Sequence, residues 1–202
     1  MIEHGLRIIS DPRWVVALPG QDVAAEARRQ IGADTIGEDA ANVDLVAAVS
    51  SMLQSALDDG AWWTAALVLA EGPSAVVVRT TLEWSGAADT PVTANEIFDV
   101  LIDDSRDADY EAFLALVTTQ LGVGVRHQQV LAYSDGTLGD YLGFSIPYAS
   151  GVLTMQTFST RTGWAEAFGP MVEAMLLSLA PDAARSFGEV TLLAYVLACD
   201  QT

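Results

Sequence analysis

Apolar positions along the chain switch between a period of two and a period near 3.6, and the switches mark out the elements. Residues 6–18 read as one or two short strands broken at Asp11-Pro12, the second being Trp14-Val15-Val16-Ala17-Leu18 before Pro19-Gly20. Residues 20–40 are polar and weakly periodic, with room for a short helix over 23–30. Leu45, Val49, Met52, Leu53 and Ala56 then form one helical stripe, with Asn42 as its N-cap and Gly60 as its stop. Residues 61–70 and 75–84 alternate as strands around the hairpin connection Glu71-Gly72-Pro73-Ser74.

Thr93-Ala94-Asn95-Glu96 is a capping box leading into Ile97, Phe98, Leu101 and Ile102. A second helix is expected from about Ala108 to Gly122, burying Tyr110, Phe113, Leu114, Val117 and Leu121. Residues 123–133 and 138–148 read as a hairpin turning at Asp135-Gly136, and 152–159 as a third strand. Trp164, Phe168, Met171, Val172, Met175, Leu176 and Leu179 trace a helix that kinks or begins at Gly169-Pro170 and closes at Pro181. A last strand covers 189–199.

Short hairpins imply antiparallel pairing, so the predicted fold is α+β: a largely antiparallel sheet with helices packed on it. No linker-like stretch divides the 202 residues, giving one domain with a less regular segment at 1–40 and a core at 41–202. Adjacent Trp62 and Trp63 should point to opposite faces of their strand. Helices cover both rings, or one ring is left for a partner.

Charge sharpens the picture. The chain has no lysine, nine arginines and 27 carboxylates, for a formal net charge of −18. Arginine forms bidentate pairs, so the arginines are expected in ion pairs, leaving carboxylates in excess on the surface. Genome composition, a salty habitat or an acidic face for a basic protein partner would each produce this balance. Phosphate contacts need a basic patch, which is missing, so direct nucleic-acid binding is not expected. The one cysteine, Cys199, allows no internal disulfide. The first residues lack a signal-peptide pattern and no apolar run is long enough to span a bilayer. The expected location is therefore cytoplasmic, without membrane insertion.

Candidate chemistry is sparse. His4 and His127 lie apart without a nucleophile motif, and Gly143-Phe144-Ser145-Ile146-Pro147 lacks the last glycine of a nucleophile elbow. Cys199 sits on an apolar strand, as a small core residue does. Asp103-Asp104-Ser105-Arg106-Asp107-Ala108-Asp109 has calcium-loop spacing at its start but no turn glycine, and Leu114 takes the place of the closing Glu. Gly122-Val123-Gly124 opens a strand rather than a helix, the reverse of a dinucleotide site. No catalytic residue, metal ligand or cofactor is assigned. The partner-contact candidates are Asp103, Asp104, Asp107 and Asp109, for their density of charge, and Trp62 and Trp63.

The two ends of the chain resemble the PsbP-like α/β fold. Trp14-Val15-Val16-Ala17-Leu18-Pro19 looks like its opening strand. Tyr148 and the 152–159 strand, followed by Trp164…Phe168…Met171…Leu176…Leu179, look like its closing strand and helix. The helix at 43–57, the two expected at 93–121 and the strand after Leu179 depart from it. The resemblance implies a non-catalytic binding or assembly factor. The leading expectation is thus a non-enzymatic adaptor, chaperone or immunity-type inhibitor engaging a basic protein through an acidic surface. The alternatives are an assembly subunit, joined to others or to its own copies by an apolar strand edge or aromatic face, and a hydrolase using paired carboxylates.

Overall fold

Tight hairpins build the molecule around one antiparallel sheet. The computed structural model describes residues 4–10, 14–34, 40–71, 74–86, 92–106, 112–132, 136–148, 150–159, 162–186 and 192–196. In chain order they form β1 (His4–Ser10), β2 (Trp14–Ala17), α1 (Val23–Asp34), α2 (Ala40–Asp58), β3 (Trp63–Glu71), β4 (Ser74–Gly86) and α3 (Ala94–Arg106). There follow β5 (Phe113–Thr119), β6 (Gly122–Ala132), β7 (Leu138–Tyr148), β8 (Gly151–Ser159), α4 (Trp164–Ser178), β9 (Ala180–Ser186) and β10 (Leu192–Val196). Seven strands pair in the order β2-β3-β4-β8-β7-β6-β5, every pair antiparallel. A smaller sheet, β10-β1-β9, joins the first strand to the last two. The α+β architecture expected from the hairpin pattern is the one observed.

Cross-strand partners share a face, so the register sorts the side chains into rows. On one face run the pairs Val78–Ser159 and Asp140–Val130 and the rows Thr80–Thr157–Leu142–Gln128 and Leu82–Met155–Phe144–Arg126. The central members of these rows are buried together with Trp14, Trp63 and the α4 side chains Phe168, Val172, Met175 and Leu176. Full burial of an indole stabilises by about 4–6 kcal/mol as an upper figure. The Nε1–H groups of Trp14 and Trp63 find no acceptor among the described residues, which costs about 1–3 kcal/mol each, so burial outweighs the unmade bond.

The start of α4 is set by a distant residue. Gly163 occupies the N-cap with φ 84° and supplies no side-chain cap. Asp140 of β7 takes that role: its Oδ2 accepts from the Ala165 N–H at 2.8 Å, with only 5% of the residue exposed. The helix then runs through Pro170 rather than beginning there. Gly169 lies over Leu142, where an added β-carbon would make an ordinary contact, 3.7 Å from the leucine methyl.

The opposite face carries a second core at one end. Val15, Ala17 and Ala66 of β2 and β3 pack against Val23, Ala27 and Ile31 of α1 and Val49, Leu53 and Ala56 of α2. This is the stripe read from the sequence. Part of the segment expected to be less regular thus contributes a buried strand and a helix, the latter capped by Asp22 Oδ1 accepting from Ala25 N at 3.0 Å. At the far end α3 packs across β5, β6 and β7. Its capping box forms as expected: Thr93 N donates to Glu96 Oε2 at 2.8 Å and Glu96 N to Thr93 Oγ1 at 3.3 Å. The Thr93 N–H bond, joined by the Thr93 hydroxyl donating to the same oxygen at 2.8 Å, holds the exposed Glu96 carboxyl below its ordinary pKa.

Three expectations are corrected. Residues 113–119 form strand β5, not the helix expected from about Ala108 to Gly122. The i, i+4 spacing of Phe113, Val117 and Leu121 lies inside a short, nearly continuous apolar run, whose periodicity cannot separate strand from helix. Its neighbour decides: Thr119-Gln120-Leu121-Gly122 is a tight turn with Gly122 at φ 126°, pairing the run with β6. Residues 180–186 form β9, whereas Pro181 had been expected only to close a helix. Trp62 does not sit on the face opposite Trp63. It precedes β3, stacks on Trp84 at 5.9 Å, and packs with Trp84 against the same core as Trp63.

Within that core the hydroxyls of Thr80 and Thr157 are fully buried, and Thr157 donates to Thr80 at 2.8 Å. Thr157→Val strands the Thr80 hydroxyl and is expected to cost about 1–3 kcal/mol in urea unfolding. The Thr80→Val/Thr157→Val pair is expected to cost clearly less than the sum of the single changes. Additive losses would show that the two hydroxyls do not satisfy each other.

Candidate functional site

Polar side chains gather on the second face of the sheet, between the area under α1 and α2 and the strands crossed by α3. Arg79, Phe158, Tyr141 and Gln129 occupy one row, and Thr81, Gln156, Gly143 and His127 the next. All but the buried Thr81 and Gly143 are half-buried. The aromatic groups form a chain of contacts: the Arg79 Cζ lies 5.4 Å from the Phe158 centroid, Phe158 is 5.1 Å from Tyr141, and Tyr141 is 5.2 Å from His127. Tyr141 lies along its own strand over Gly143, where any β-carbon would collide with the phenol oxygen. Burial, reinforced by the negative Glu83, pushes the Tyr141 hydroxyl up to about 12. It stays protonated near neutrality, and can donate a hydrogen bond but cannot serve as a base.

The far end of the sheet is different in kind. Strand β5 is its last strand, and Phe113 is 54%, Leu116 58% and Val123 45% exposed. From residue 112 to residue 125 the chain carries no charge. Beside this edge, on the α4 face, an open groove of about 390 Å³ is lined by Phe113, Arg126, Gln128, Gln129, Val130 and Asp140. The Arg126 guanidinium lies over the Phe113 ring, its Cζ 5.6 Å from the centroid, and its Nη2 donates to Gln128 Oε1 at 2.9 Å. Its Nε is buried and finds no acceptor among the described residues.

Arginine pairing therefore departs from expectation. Arg29 does bridge Glu26 on α1. Arg79 and Arg126 are instead held on aromatic rings, with no carboxylate partner among the described residues. A cation–π contact suits a half-buried guanidinium because the ring needs no desolvated anion beside it.

The contact candidates read from the sequence are not drawn into one site. Trp63 is fully buried, which removes it from any contact surface, and Trp62 is half-buried on Trp84. Asp103 is exposed on α3, Asp104 lies in the same helix, and Asp107 and Asp109 fall outside the described residues. Sequence reading missed Arg126, Phe113 and Asp140. Asp140 had a usable signal: alternation places it in register with Leu142 and Phe144, a carboxylate on an apolar face. Among the described residues no group of three or more His, Cys, Asp or Glu side chains is placed to hold a metal ion. No described helix is long and apolar enough to cross a membrane.

No family model matches the chain, and no curated protein matches it. Among solved structures it is similar to the crystal structure of LpqN, described as involved in cell envelope biogenesis of Mycobacterium tuberculosis. The identity is 8% over 59% of this chain and 71% of that chain, with a TM-score of 0.43.

The raised Tyr141 pKa makes a pH prediction. The folded state holds the proton more tightly than the unfolded chain, whose tyrosines titrate near 10. Its contribution is therefore complete below pH 10 and is lost as pH rises toward 12, at up to about 1.4 kcal/mol per pH unit. Urea unfolding of the native chain and Tyr141→Phe across this window is expected to show a shallower decline in the variant. Parallel curves would place the phenol in water.

Proposed function

We propose that this chain is a non-enzymatic protein-binding module that takes an extended segment of a basic partner along β5. The observation carrying this reading is the contrast between the two ends of one sheet. At one end, β2 is buried strand for strand, with Trp14, Val15, Val16 and Ala17 at most 7% exposed. At the other, β5 presents an edge unpaired among the described residues, with no charge, no proline and no bulge in its register with β6. An edge of this kind is a template for strand addition, in which main-chain bonds give affinity and alternate side-chain pockets give specificity.

Charge selects the partner. Glu96, Asp99 and Asp103 are exposed on α3, at spacings that place them along one side of the helix crossing β5–β7. A basic segment on the neutral edge meets this acidic rim, and the net charge of −18 steers it there. Two copies of this chain joined antiparallel through β5 would keep both α3 helices on one side of the joint sheet, acid against acid. The foreign segment is thus favoured over the second copy, the occupant that an assembly subunit would use.

A photo-crosslinking residue at position 116 identifies the partner, with position 28 on the exposed side of α1 as control. Leu116→Lys is expected to weaken the captured partner by about tenfold or more, and raised salt to weaken it further. Light scattering at high concentration is expected to show a monomer. A dimer that Leu116→Lys dissolves would assign the edge to a second copy instead. Equal crosslinking at both positions would remove β5 from the interface.

A further inference from the structure

We propose that the groove beside β5 is a binding site for a carboxylate carried on an apolar or aromatic group. Its cation is Arg126, which in a chain of 27 carboxylates has none as partner among the described residues. One Nη2 donor is taken by Gln128 Oε1, while the buried Nε–H has no acceptor among the described residues. A buried donor left without a partner is uncommon. At Trp14 and Trp63 the core closes over it, whereas Arg126 lines an open groove that an outside acceptor can enter. The guanidinium is planar and presents parallel donors, which match the two oxygens of a carboxylate.

The surroundings favour the same ligand. The ring of Phe113 holds the guanidinium on one side and, being 54% exposed, offers an apolar wall to whatever the carboxylate carries. Val130 adds to that wall, and the Gln128 side chain supplies a neutral polar group. A volume of about 390 Å³ is in the range of small-ligand sites. Asp140 also lines the groove, but its Oδ2 is bonded to the amino end of α4, where the helix dipole offsets its charge. That offset is partial, about half a charge, so among the described lining residues the Arg126 guanidinium is the group left to draw an anion. Two sources carry this chemistry: a free organic acid, or the terminal carboxylate of a segment lying on β5. An added strand running antiparallel to β5, as every pair in this sheet does, would bring its carboxyl end to Phe113.

Titration of the full chain with phenylacetate, followed by amide chemical shifts, tests the site. Shifts are expected at residues 113, 126, 128 and 130, and none with phenylacetamide, which has the same shape without the charge. Arg126→Gln is expected to weaken phenylacetate at least about tenfold, and Arg126→Lys to recover only part of the loss. Equal responses to acid and amide, or unchanged binding in Arg126→Gln, would overturn the proposal. The acid–amide comparison decides alone if Arg126→Gln does not fold. A valine–threonine hexapeptide acid separates the two sources. Tighter binding than phenylacetate that Leu116→Lys removes assigns the carboxylate to a docked segment, and affinity equal to phenylacetate assigns it to free acids. Because phenylacetate does not need the β5 edge, its result is independent of the strand-addition reading.

Discussion

The seating of α4 on the sheet is the constraint from which the other features follow. Rows from three strands bring Val78, Leu82, Leu142, Phe144, Leu153 and Met155 to one surface, and the apolar helix α4 dries it. A glycine N-cap leaves the helix amino end without its own cap, and Asp140 reaches up from the sheet to provide one. That single bond ties the start of α4 to a particular residue of β7. It also determines where the cover ends. The groove lies next to Asp140 because there the helix has begun and the rows beyond it, at Gln128 and Val130, run on toward β5.

The placement of the helices also explains the unequal edges. Helices α1 and α2 close the β2 end with a second core, so that edge has no free surface. Helix α3 crosses β5–β7 without burying Phe113 or Leu116. A soluble chain normally blunts such an edge with charge or proline. This chain has carboxylates to spare and places none between residues 112 and 125. Leaving those positions neutral is a stability and aggregation liability unless something binds there, which is why the edge rather than the acidity points to function.

Much of the fold was legible because it rests on local signals. The stripe of α2, the stripe of α4 and the Thr93–Glu96 box each depend on spacings within a few turns of chain, and each appears as read. The failures share one cause. Strand β5 has apolar residues on both faces, so its pattern fits either period, and only pairing with β6 resolves it. Trp62 escapes alternation because it precedes the strand and is captured by Trp84. The candidate site was out of reach for the same reason: Phe113, Arg126 and Asp140 come from three strands, and their meeting depends on register.

Arginine placement then gives the charge imbalance a clearer meaning. Ion pairing was the natural expectation for nine arginines among 27 carboxylates. Yet Arg79 and Arg126 lie on rings, one near the middle of the sheet and one near its open edge. A carboxylate beside either guanidinium would have to be desolvated with it, and the aromatic face avoids that penalty. The consequence differs between the two places. Arg79 sits in a row continued by Tyr141 and Gln129, within the polar layer of the sheet. Arg126 sits at an open groove with a buried donor still unbonded. In a strongly acidic molecule that is an unusual position for a cation, because the surrounding field repels the anions it could hold. An anion will bind there only if geometry and apolar contact outweigh that field. Arg126 over Phe113 supplies both in one place.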